Sequence, residues 1–393
     1  MPPRAPLTRV LCVSATSGAG GSEVALARLL AGLPAEGFDC HVVLPADGDA
    51  TEGYRAAGAT VHTVPMRRVT RSGGVGWWAL YALEWPAAVF RLRRLARRLD
   101  ADLIVSNSVH TWYGWAAAWT AGVPHLWHVR EIVVQSAAAL RLERLLVDRF
   151  ATRVVACSRA AAAPFESSRQ HPLVVHEDVD RDEYSPARSG RFRPRVAVPD
   201  DAPLVGYVGR IDTWKGVDVL LDAWPAVRER VPAAELVVIG GAVRDKEAYD
   251  AALRHRAEAL PGVHWLGSRR DVPDVMADLD VLVAVSTLPV PYGLVLVEAL
   301  AGGARVVCGD AGGAPEILER APSGQGAAVP PADPVALAAA VADLLASSLP
   351  TSPDRRRQRP VPAPFPTDWA GIYRSAARRR PRATAAATRR ADR

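Results

Sequence analysis

A chain of 393 residues, 49% of them hydrophobic, has enough apolar material for two α/β domains, and its length argues against a single one. The four cysteines lie far apart, which argues against a disulfide framework or a CxxC metal knuckle and fits a cytoplasmic protein. The net charge of +6 comes from the tail, because residues 351–393 carry +9 and residues 1–350 carry −3. A protein whose basicity is confined to a Pro/Arg-rich, solvated tail is not expected to bind nucleic acid.

The first half of the chain alternates between strand and helix patterns. Apolar strands separated by helices are typical of a doubly wound parallel sheet. The first apolar run is too short for the core of a signal peptide and leads into a glycine loop, so we interpret it as a buried strand. Strands are predicted at residues 9–15, 39–44, 61–64, 103–106, 125–129 and 153–157, and helices at 23–33, 78–99 and 112–121.

The glycine loop TSGAGGS, residues 16–22, joins the first strand to the first helix. Gly18 and Gly20 match the first two positions of the dinucleotide fingerprint GxGxxG, but Glu23 stands at the third, where helix and strand must pack closely. We therefore interpret the loop as one that lines a ligand cleft, and an NAD-dependent dehydrogenase is not expected.

The predicted helix at 78–99 combines Trp78, Trp85 and Phe90 with five arginines. A helix of this composition can lie on an anionic membrane surface, which would place the protein at the inner face of the membrane. The alternative is a helix with one buried aromatic face and a solvated arginine end. We favour the helix with a buried aromatic face, and peripheral membrane contact remains the other interpretation.

Periodicity is lost in residues 179–203, where Asp, Arg and Pro accumulate. We interpret this segment as a linker between an N-terminal domain at 1–178 and a C-terminal domain at 204–350. In the second domain the alternation restarts, with strands predicted at 204–208, 235–239, 263–266 and 305–308 and helices at 217–229, 246–259, 272–277 and 334–345.

The stretch 281–318 indicates a ligand site. It reads as a strand, a Pro-bounded turn and a helix, followed by a second strand and a glycine-rich turn. Both turns should present backbone N–H groups at the carboxyl edge of a parallel sheet, where the head of a helix favours an anion. A phosphate-bearing ligand is therefore expected.

Two cations follow the strand at 204–208, in the loop GRIDTWKG. Arg210 and Lys215 should reach across the mouth of the sheet towards the glycine turns, where fixed positive groups would stabilise a leaving phosphate. Lys215 is one of only two lysines in the chain, the other being Lys246. The alternative is that both cations are solvated charges on a loop.

Four segments together resemble the retaining nucleotide-sugar glycosyltransferases of family 4, which have the GT-B architecture. The segments are GAGGSEVALARLLAGL, GRIDTWKGVDVLLDAW, PYGLVLVEALAGG and GDAGGAPEIL, and the likeness runs from residue 9 to about 345. It implies two Rossmann-like doubly wound α/β domains facing across a cleft, with the acceptor on the N-terminal domain and the donor on the C-terminal one. Within the basic tail, 351–393, the segment FPTDWAGIYR resembles the closing helix that crosses back to the N-terminal domain, predicted near 365–378.

The resemblance also implies roles in the donor site. Arg210 and Lys215 would hold the diphosphate and stabilise its departure. Glu298 would bind the ribose hydroxyls of the nucleotide. The backbone N–H groups expected at the same phosphates are those of Gly293, Leu294 and Val295.

In the N-terminal domain the resemblance points to two places. Gly20 and Gly21 would approach the diphosphate or the acceptor, and His128 in HLWHVRE would contact the donor sugar. The alternative for His128 is a strand-end histidine with a structural role, which is the preferred interpretation of its neighbour His125.

The sequence departs from the family pattern at Val290. The family has two glutamates separated by seven residues; Glu298 is the second, and Val290 occupies the first position, where the family carboxylate binds hydroxyls of the donor sugar. Three explanations remain: a donor that lacks the hydroxyl, such as a deoxysugar; a neighbour such as Ser286 or Thr287 in its place; or an impaired catalyst.

No metal or other cofactor is expected, because the family typically uses cations and helix heads for the phosphates. Several Asp-x-Asp triplets occur, among them Asp278 and Asp280, and such triplets are common by chance.

The sequence thus predicts a cytoplasmic glycosyltransferase that uses a nucleotide-diphosphate sugar as co-substrate and acts on a carbohydrate, lipid-linked or secondary-metabolite acceptor. The alternatives are a nucleotide-sugar epimerase of the same fold and a catalytically weak nucleotide-sugar-binding protein.

Overall fold

The chain forms two compact units, Met1–Glu177 with Pro366–Arg393, and Asp178–Phe365. The computed structural model describes residues 7–18, 20–69, 74–132, 137–243, 245–346, 353–364 and 367–378. The segment expected to be a linker, 179–203, lies within the second unit, as do residues 353–364 of the basic tail.

Among its described residues, the first unit has seven parallel strands: β1 (Thr8–Val13), β2 (Phe38–Leu44), β3 (Thr60–Thr63), β4 (Leu103–Ser106), β5 (His125–Val129), β6 (Arg153–Ala156) and β7 (Leu173–Val174). Their order in the sheet is β3-β2-β1-β4-β5-β6-β7. The crossovers are α1 (Gly21–Gly32), α2 (Asp49–Ala56), α3 (Val75–Arg98), α4 (Trp112–Ala121), α5 (Ala137–Phe150) and α6 (Arg159–Ala162).

Both faces of this sheet are covered. Successive side chains of a strand point to opposite faces, so Val10 and Cys12 of β1 pack in one apolar core and Leu11 and Val13 in another. All four are fully buried. An uninterrupted apolar strand is what a parallel sheet with helices on both faces requires, and β1 has that composition.

The described part of the second unit has six parallel strands: β8 (Leu204–Val208), β9 (Glu235–Ile239), β10 (Val263–Gly267), β11 (Val281–Ala284), β12 (Arg305–Gly309) and β13 (Gly326–Val329), in the order β10-β9-β8-β11-β12-β13. Its helices are α7 (Val217–Arg230), α8 (Glu247–Glu258), α9 (Val272–Asp278), α10 (Leu294–Ala301), α11 (Ala314–Leu318), α12 (Pro334–Ala346) and α13 (Pro353–Arg357). The last helix, α14 (Trp369–Ala377), belongs to the first unit.

The predicted fold class is confirmed, since both units are doubly wound parallel sheets. The sequence patterns missed the helices α2, α5, α6 and α13 and the strands β7 and β13. Of these, α5 follows from topology alone, because two adjacent parallel strands such as β5 and β6 need a crossover between them.

A buried ionic cluster fixes residues 189–204 and α13 to the amino-terminal edge of the second sheet. Asp278, which is fully buried, accepts hydrogen bonds from Ser189 Oγ at 2.8 Å and from the Phe192 amide at 2.8 Å. Asp280 accepts from Arg193 Nη2 at 2.8 Å. The Asp-x-Asp pair therefore anchors the backbone of this segment.

Two tail arginines join this cluster. Arg356 is 1% exposed and donates from Nε to Ser189 Oγ at 2.9 Å, and Arg359 pairs with Asp280. The expectation of solvated tail arginines is thus wrong for these two, because buried aspartates of α9 and β11 compensate their charge.

Helix α3 buries a face of mixed composition, in which Trp85 of the expected aromatic residues packs against the core and Phe90 does not. Tyr81, Val89 and Leu92 are buried, whereas Leu83 is 76% and Phe90 59% exposed. Within the described ranges, no helix combines the length and the apolar character needed to cross a membrane.

Candidate functional site

The carboxyl edge of the second sheet carries three loops side by side. They follow β8, β11 and β12, which are neighbours in the sheet, and span residues 209–216, 285–293 and 310–313. The winding of the chain reverses between β8 and β11, and open α/β proteins bind ligands in the crevice at such a point.

The first loop is held against the second by backbone contacts. The carbonyl of Trp214 accepts hydrogen bonds from Thr287 N at 2.9 Å and Thr287 Oγ1 at 3.3 Å. Gly216 has a φ of +74°, and a Cβ there would lie 2.1 Å from the Val285 carbonyl oxygen. Only glycine permits this approach, which fixes the loop that carries Lys215.

Lys215 lies in an environment that disfavours its charge. Its ammonium is 4.1 Å from the centroid of the Trp214 ring, and Trp214 Nε1 donates to Asp212 Oδ2 at 2.8 Å. Burial, followed by the charge of Arg210, lowers the pKa of Lys215 to about 8, against a smaller opposing effect of Asp212. Arg210 itself is exposed. Two cations in mutual repulsion at a sheet edge are typical of a site whose ligand is an anion.

The second loop is in turn joined to the third. Val290 pairs with Gly312, and the Val290 carbonyl accepts from the Gly313 amide at 2.8 Å. A Cβ at Gly312 would lie 2.2 Å from that carbonyl oxygen, so the glycine is required for the contact. Val290 is half-buried, and its backbone therefore links the loops after β11 and β12.

Helix α10 begins at this edge. Gly293 precedes it with a φ of +111°, and Leu294 and Val295 form its first turn, whose N–H groups lack intrahelical acceptors. Glu298 is half-buried one turn further along. The second unit thus brings all its predicted site residues, from Arg210 to Glu298, to the loops and the helix of one sheet edge.

In the first unit, Gly20 and Gly21 lie at the head of α1. A Cβ at Gly20 would lie 2.7 Å from Glu23 Oε2, whereas one at Gly21 meets no atom within 4 Å. Glu23 is 5% exposed, and its carboxylate accepts hydrogen bonds from Ser14 Oγ at 3.3 Å and from Ser22 Oγ at 2.8 Å. The side chain that breaks the dinucleotide fingerprint therefore fills the space beside the loop.

His128 lies in β5 and is covered by α14. Its ring is 2% exposed and stacks on Trp369 with centroids 5.3 Å apart. Arg130 Nη2, which can only donate, lies 3.2 Å from Nδ1, so Nε2–H donates to Tyr373 Oη at 3.2 Å. Burial and the Arg130 charge hold the pKa of His128 well below its usual range. Both ring nitrogens are engaged within the first unit.

His125 has a structural environment, as expected. Its Nε2 is 3.0 Å from Ser106 Oγ, and complete burial lowers its pKa to about 3.

One histidine that the sequence patterns did not select lies at the carboxyl edge of the first sheet. His110 follows β4, and its Nδ1 is 2.6 Å from Glu143 Oε1 of α5. Its position just beyond a predicted strand was the available signal. The helix that carries its partner was not predicted, so the pair could not be seen.

No group of three or more His, Cys, Asp or Glu side chains that could hold a metal ion occurs among the residues that the structure describes. Asp278 and Asp280 are engaged in the ionic cluster at the opposite, amino-terminal edge of the sheet.

Comparisons with known proteins agree with this architecture. The solved structure of Anabaena HepE in complex with UDP and glucose superposes with a TM-score of 0.73 at 25% identity, covering 89% of this chain and 93% of that one. An alpha-maltose-1-phosphate synthase of Mycolicibacterium smegmatis is 28% identical over 299 residues, which is 66% of this chain and 75% of that protein. A D-inositol 3-phosphate glycosyltransferase of Xylanimonas cellulosilytica is 32% identical over 244 residues, which is 52% of this chain and 56% of that protein.

Two family models divide the chain as its two sheets do. The model described as a glycosyl transferase 4-like domain matches residues 20–176, and the model described as glycosyl transferases group 1 matches residues 202–347. The chain therefore belongs to the family-4 type of glycosyltransferases.

Proposed function

We propose that the protein transfers a glycosyl group from a nucleoside-diphosphate sugar to an acceptor hydroxyl with retention at the anomeric carbon. The observation that carries the proposal is Lys215, a partly desolvated cation on a loop that is bonded to the loop leading into α10. Positive charge fixed in this way stabilises the negative charge that develops on a departing diphosphate.

Each group at this edge has a role in the proposal. Arg210 and Lys215 bind the diphosphate, and the amides of Gly293, Leu294 and Val295 donate to its oxygens. Glu298 accepts hydrogen bonds from the ribose hydroxyls. Because the cations and amides neutralise the diphosphate, transfer should continue in EDTA, and loss of activity that Mg²⁺ restores would contradict this assignment.

In the first unit, the open space at Gly21 suits the close approach of the acceptor or the diphosphate. His128 can contact a donor sugar only by exchanging its hydrogen bond to Tyr373 for one to a sugar hydroxyl. A Tyr373→Phe variant leaves Nε2–H without that acceptor and frees it for the sugar.

Donor and stereochemistry are tested together. Thermal melting with UDP-glucose and GDP-mannose identifies the nucleotide, since a ligand at 100 times its dissociation constant stabilises the folded protein by about 2.7 kcal/mol.

The configuration of the transferred sugar is then read by NMR, and an inverted product would refute retention. Incubation of the donor alone separates the transferase from an epimerase, which would form an epimer without any acceptor.

Val290 favours a catalytically weak nucleotide-sugar-binding protein as the second candidate, because valine cannot accept hydrogen bonds from sugar hydroxyls. Thr287 Oγ1 donates to the Trp214 carbonyl and keeps its lone pairs for a sugar hydroxyl, so it could supply a neutral acceptor but not the charge of the family carboxylate.

Val290→Glu is expected to raise turnover of UDP-glucose by about one to two powers of ten, since a charge-assisted hydrogen bond contributes about 1.5–3 kcal/mol. Val290→Gln, which adds length without charge, is the matched control. If glutamate lowers the turnover of UDP-glucose and of 6-deoxy donors alike, Val290 is not the position of a missing sugar contact.

We also propose that α3 contacts the membrane surface. Val75, Leu83 and Phe90 are 89%, 76% and 59% exposed on the helix whose last turns carry the arginines. Sedimentation with phosphatidylglycerol vesicles should remove the protein from solution, and Leu83→Glu should weaken this binding. Equal binding by that variant and the wild type would contradict the assignment to α3.

A further inference from the structure

The exposed apolar side chains of the protein are concentrated on one layer of helices. Of the thirteen large hydrophobic side chains that are exposed in the described part of the chain, eight lie on α3, α4 and α5. Five of the eight are on α3, and the contact proposed above for that helix leaves the other three without a role. These are Trp119 of α4, 50% exposed, and Leu142 and Leu145 of α5, 40% and 64% exposed.

Ring contacts join the three helices. Helices α3 and α4 pack in the same apolar core against one face of the first sheet, and the ring centroids of Trp85 in α3 and Trp115 in α4 are 6.0 Å apart. Trp115 in turn stacks on Phe150 of α5 at 4.2 Å, and Trp119 lies 5.9 Å from the same ring in a T-shaped arrangement. The three helices therefore form one layer, which continues over α4 and α5 beyond α3.

The spacing of residues along α5 gives this helix an exposed stripe. Ala138, Leu142, Leu145 and Arg149 recur every three or four residues, so they share one side of the helix, and all four are exposed. Leu146, by contrast, is buried. The outer side of α5 thus combines leucines with an arginine.

The layer carries an excess of positive charge. Its three helices contain eight arginines against Glu84, Glu143 and Asp148. Of these acids, Glu143 is fully buried and Glu84 is paired with Arg67. Within the ranges that the structure describes, no ion pair engages the exposed arginines of the layer, which are Arg91, Arg94, Arg97, Arg98, Arg141 and Arg149.

This combination of apolar side chains and uncompensated cations decides between two occupants. A second copy of the chain would present the same excess of arginines, so the two faces would repel each other. An anionic lipid surface supplies the missing negative charge, takes up leucine side chains and accommodates an indole at the level of the headgroups.

We propose that the layer formed by α3, α4 and α5 lies on an anionic lipid membrane. Trp119, Leu142 and Leu145 enter the boundary between headgroups and acyl chains, and the arginines of α3 and α5 contact the headgroups. This contact includes the one proposed for α3, and it does not depend on the glycosyl transfer proposed above.

Sedimentation with phosphatidylglycerol vesicles tests the part played by α5. Leu145→Glu should weaken binding by about tenfold or more, because it withdraws an apolar side chain from the membrane and adds a negative charge. Val335→Glu makes the same kind of change at a side chain 79% exposed on α12 of the second unit, so it is the matched control and should bind like the wild type. Phosphatidylcholine vesicles should bind the protein weakly, and binding to them as tight as to phosphatidylglycerol would contradict the choice of an anionic surface.

Fluorescence quenching by brominated phosphatidylglycerol tests the part played by α4. The vesicles should quench the tryptophan emission of the wild type, and Trp119→Phe should lose part of that quenching. Trp265→Phe, in the second unit, should retain it. Quenching that Trp119→Phe leaves unchanged would overturn the proposal.

Two further outcomes would also overturn the contact of the whole layer. If Leu83→Glu weakens vesicle binding and Leu145→Glu binds like the wild type, α3 alone contacts the membrane. A dimer in analytical ultracentrifugation that Leu145→Glu dissociates would assign the layer to a second copy. Since Leu145 is exposed, its glutamate variant should melt and bind UDP like the wild type. UDP affinity therefore decides on the donor assignment separately from the membrane contact.

Discussion

Replacing Lys215 by alanine is expected to reduce glycosyl transfer by about 10²–10³-fold, the effect of removing one preorganised group that stabilises developing negative charge. The ammonium is held by the Trp214 ring and by a loop that Gly216 and Thr287 fix to its neighbour. The alanine variant keeps those backbone contacts, so the loss of transfer activity measures the contribution of the Lys215 charge. Initial rates and UDP affinity measured by calorimetry provide the readout.

Lys246 supplies the matched control, because it is the only other lysine of the chain and lies in the same unit. Lys246→Ala should transfer sugar at the wild-type rate. Lys215→Ala with wild-type UDP affinity and rate would remove the observation on which the proposed function depends.

The pH dependence of UDP binding provides a second readout of the same charge. The pKa of Lys215 in the free protein is lowered to about 8, and a bound diphosphate favours the charged form. Affinity should therefore be constant from about pH 7, where the terminal phosphate of UDP is largely ionised, to pH 8, and should fall by roughly tenfold for each pH unit above it until the pKa of the complex is reached. Lys215→Arg remains charged and should show no such decline. An identical decline in both proteins would assign the titration to another group.

The grouping of Arg210, Lys215 and the head of α10 at one sheet edge could be predicted from sequence because its determinants are local. The loop that carries Arg210 and Lys215 directly follows an apolar strand, and the head of α10 directly follows a Pro-bounded turn. Strand, loop and helix head are contiguous in the chain, so the order of residues alone places them at the carboxyl edge of a parallel sheet.

Contacts between distant residues could not be predicted in this way. His128 matches the position of a ligand contact, yet Trp369 and Tyr373 cover it from a helix about 240 residues away. Likewise, the composition of the tail indicated solvated arginines. The aspartates that compensate the charges of Arg356 and Arg359 are remote in sequence, so the composition of the tail could not reveal these pairs. The partner of His110 was also missed, because Glu143 lies 33 residues away on α5, a helix that was not predicted.

Asp278→Ala is expected to have the largest effect on stability. Asp278 is fully buried and accepts hydrogen bonds from Ser189, Gly190, Phe192 and Arg193, while Arg356 Nε lies 3.7 Å from its Oδ1. Removing one partner of a buried ionic cluster costs about 3–5 kcal/mol, because the remaining charges lose their compensation. For a unit of this size, that lowers Tm by on the order of 10 °C.

Calorimetric melting of the full chain measures this effect on the transition of the second unit. Asp343→Ala is the control in the same unit, because its pair with Arg230 is exposed, with side chains 67% and 49% accessible, and an exposed pair contributes about 0–1 kcal/mol. The loss of stability should be specific to the buried cluster, since Asp278 holds the segment 189–193 and α13 against the sheet through hydrogen bonds that water cannot replace. Equal melting of the two variants would show that the segment is held by its apolar contacts instead, with Phe192, fully buried, as the principal anchor.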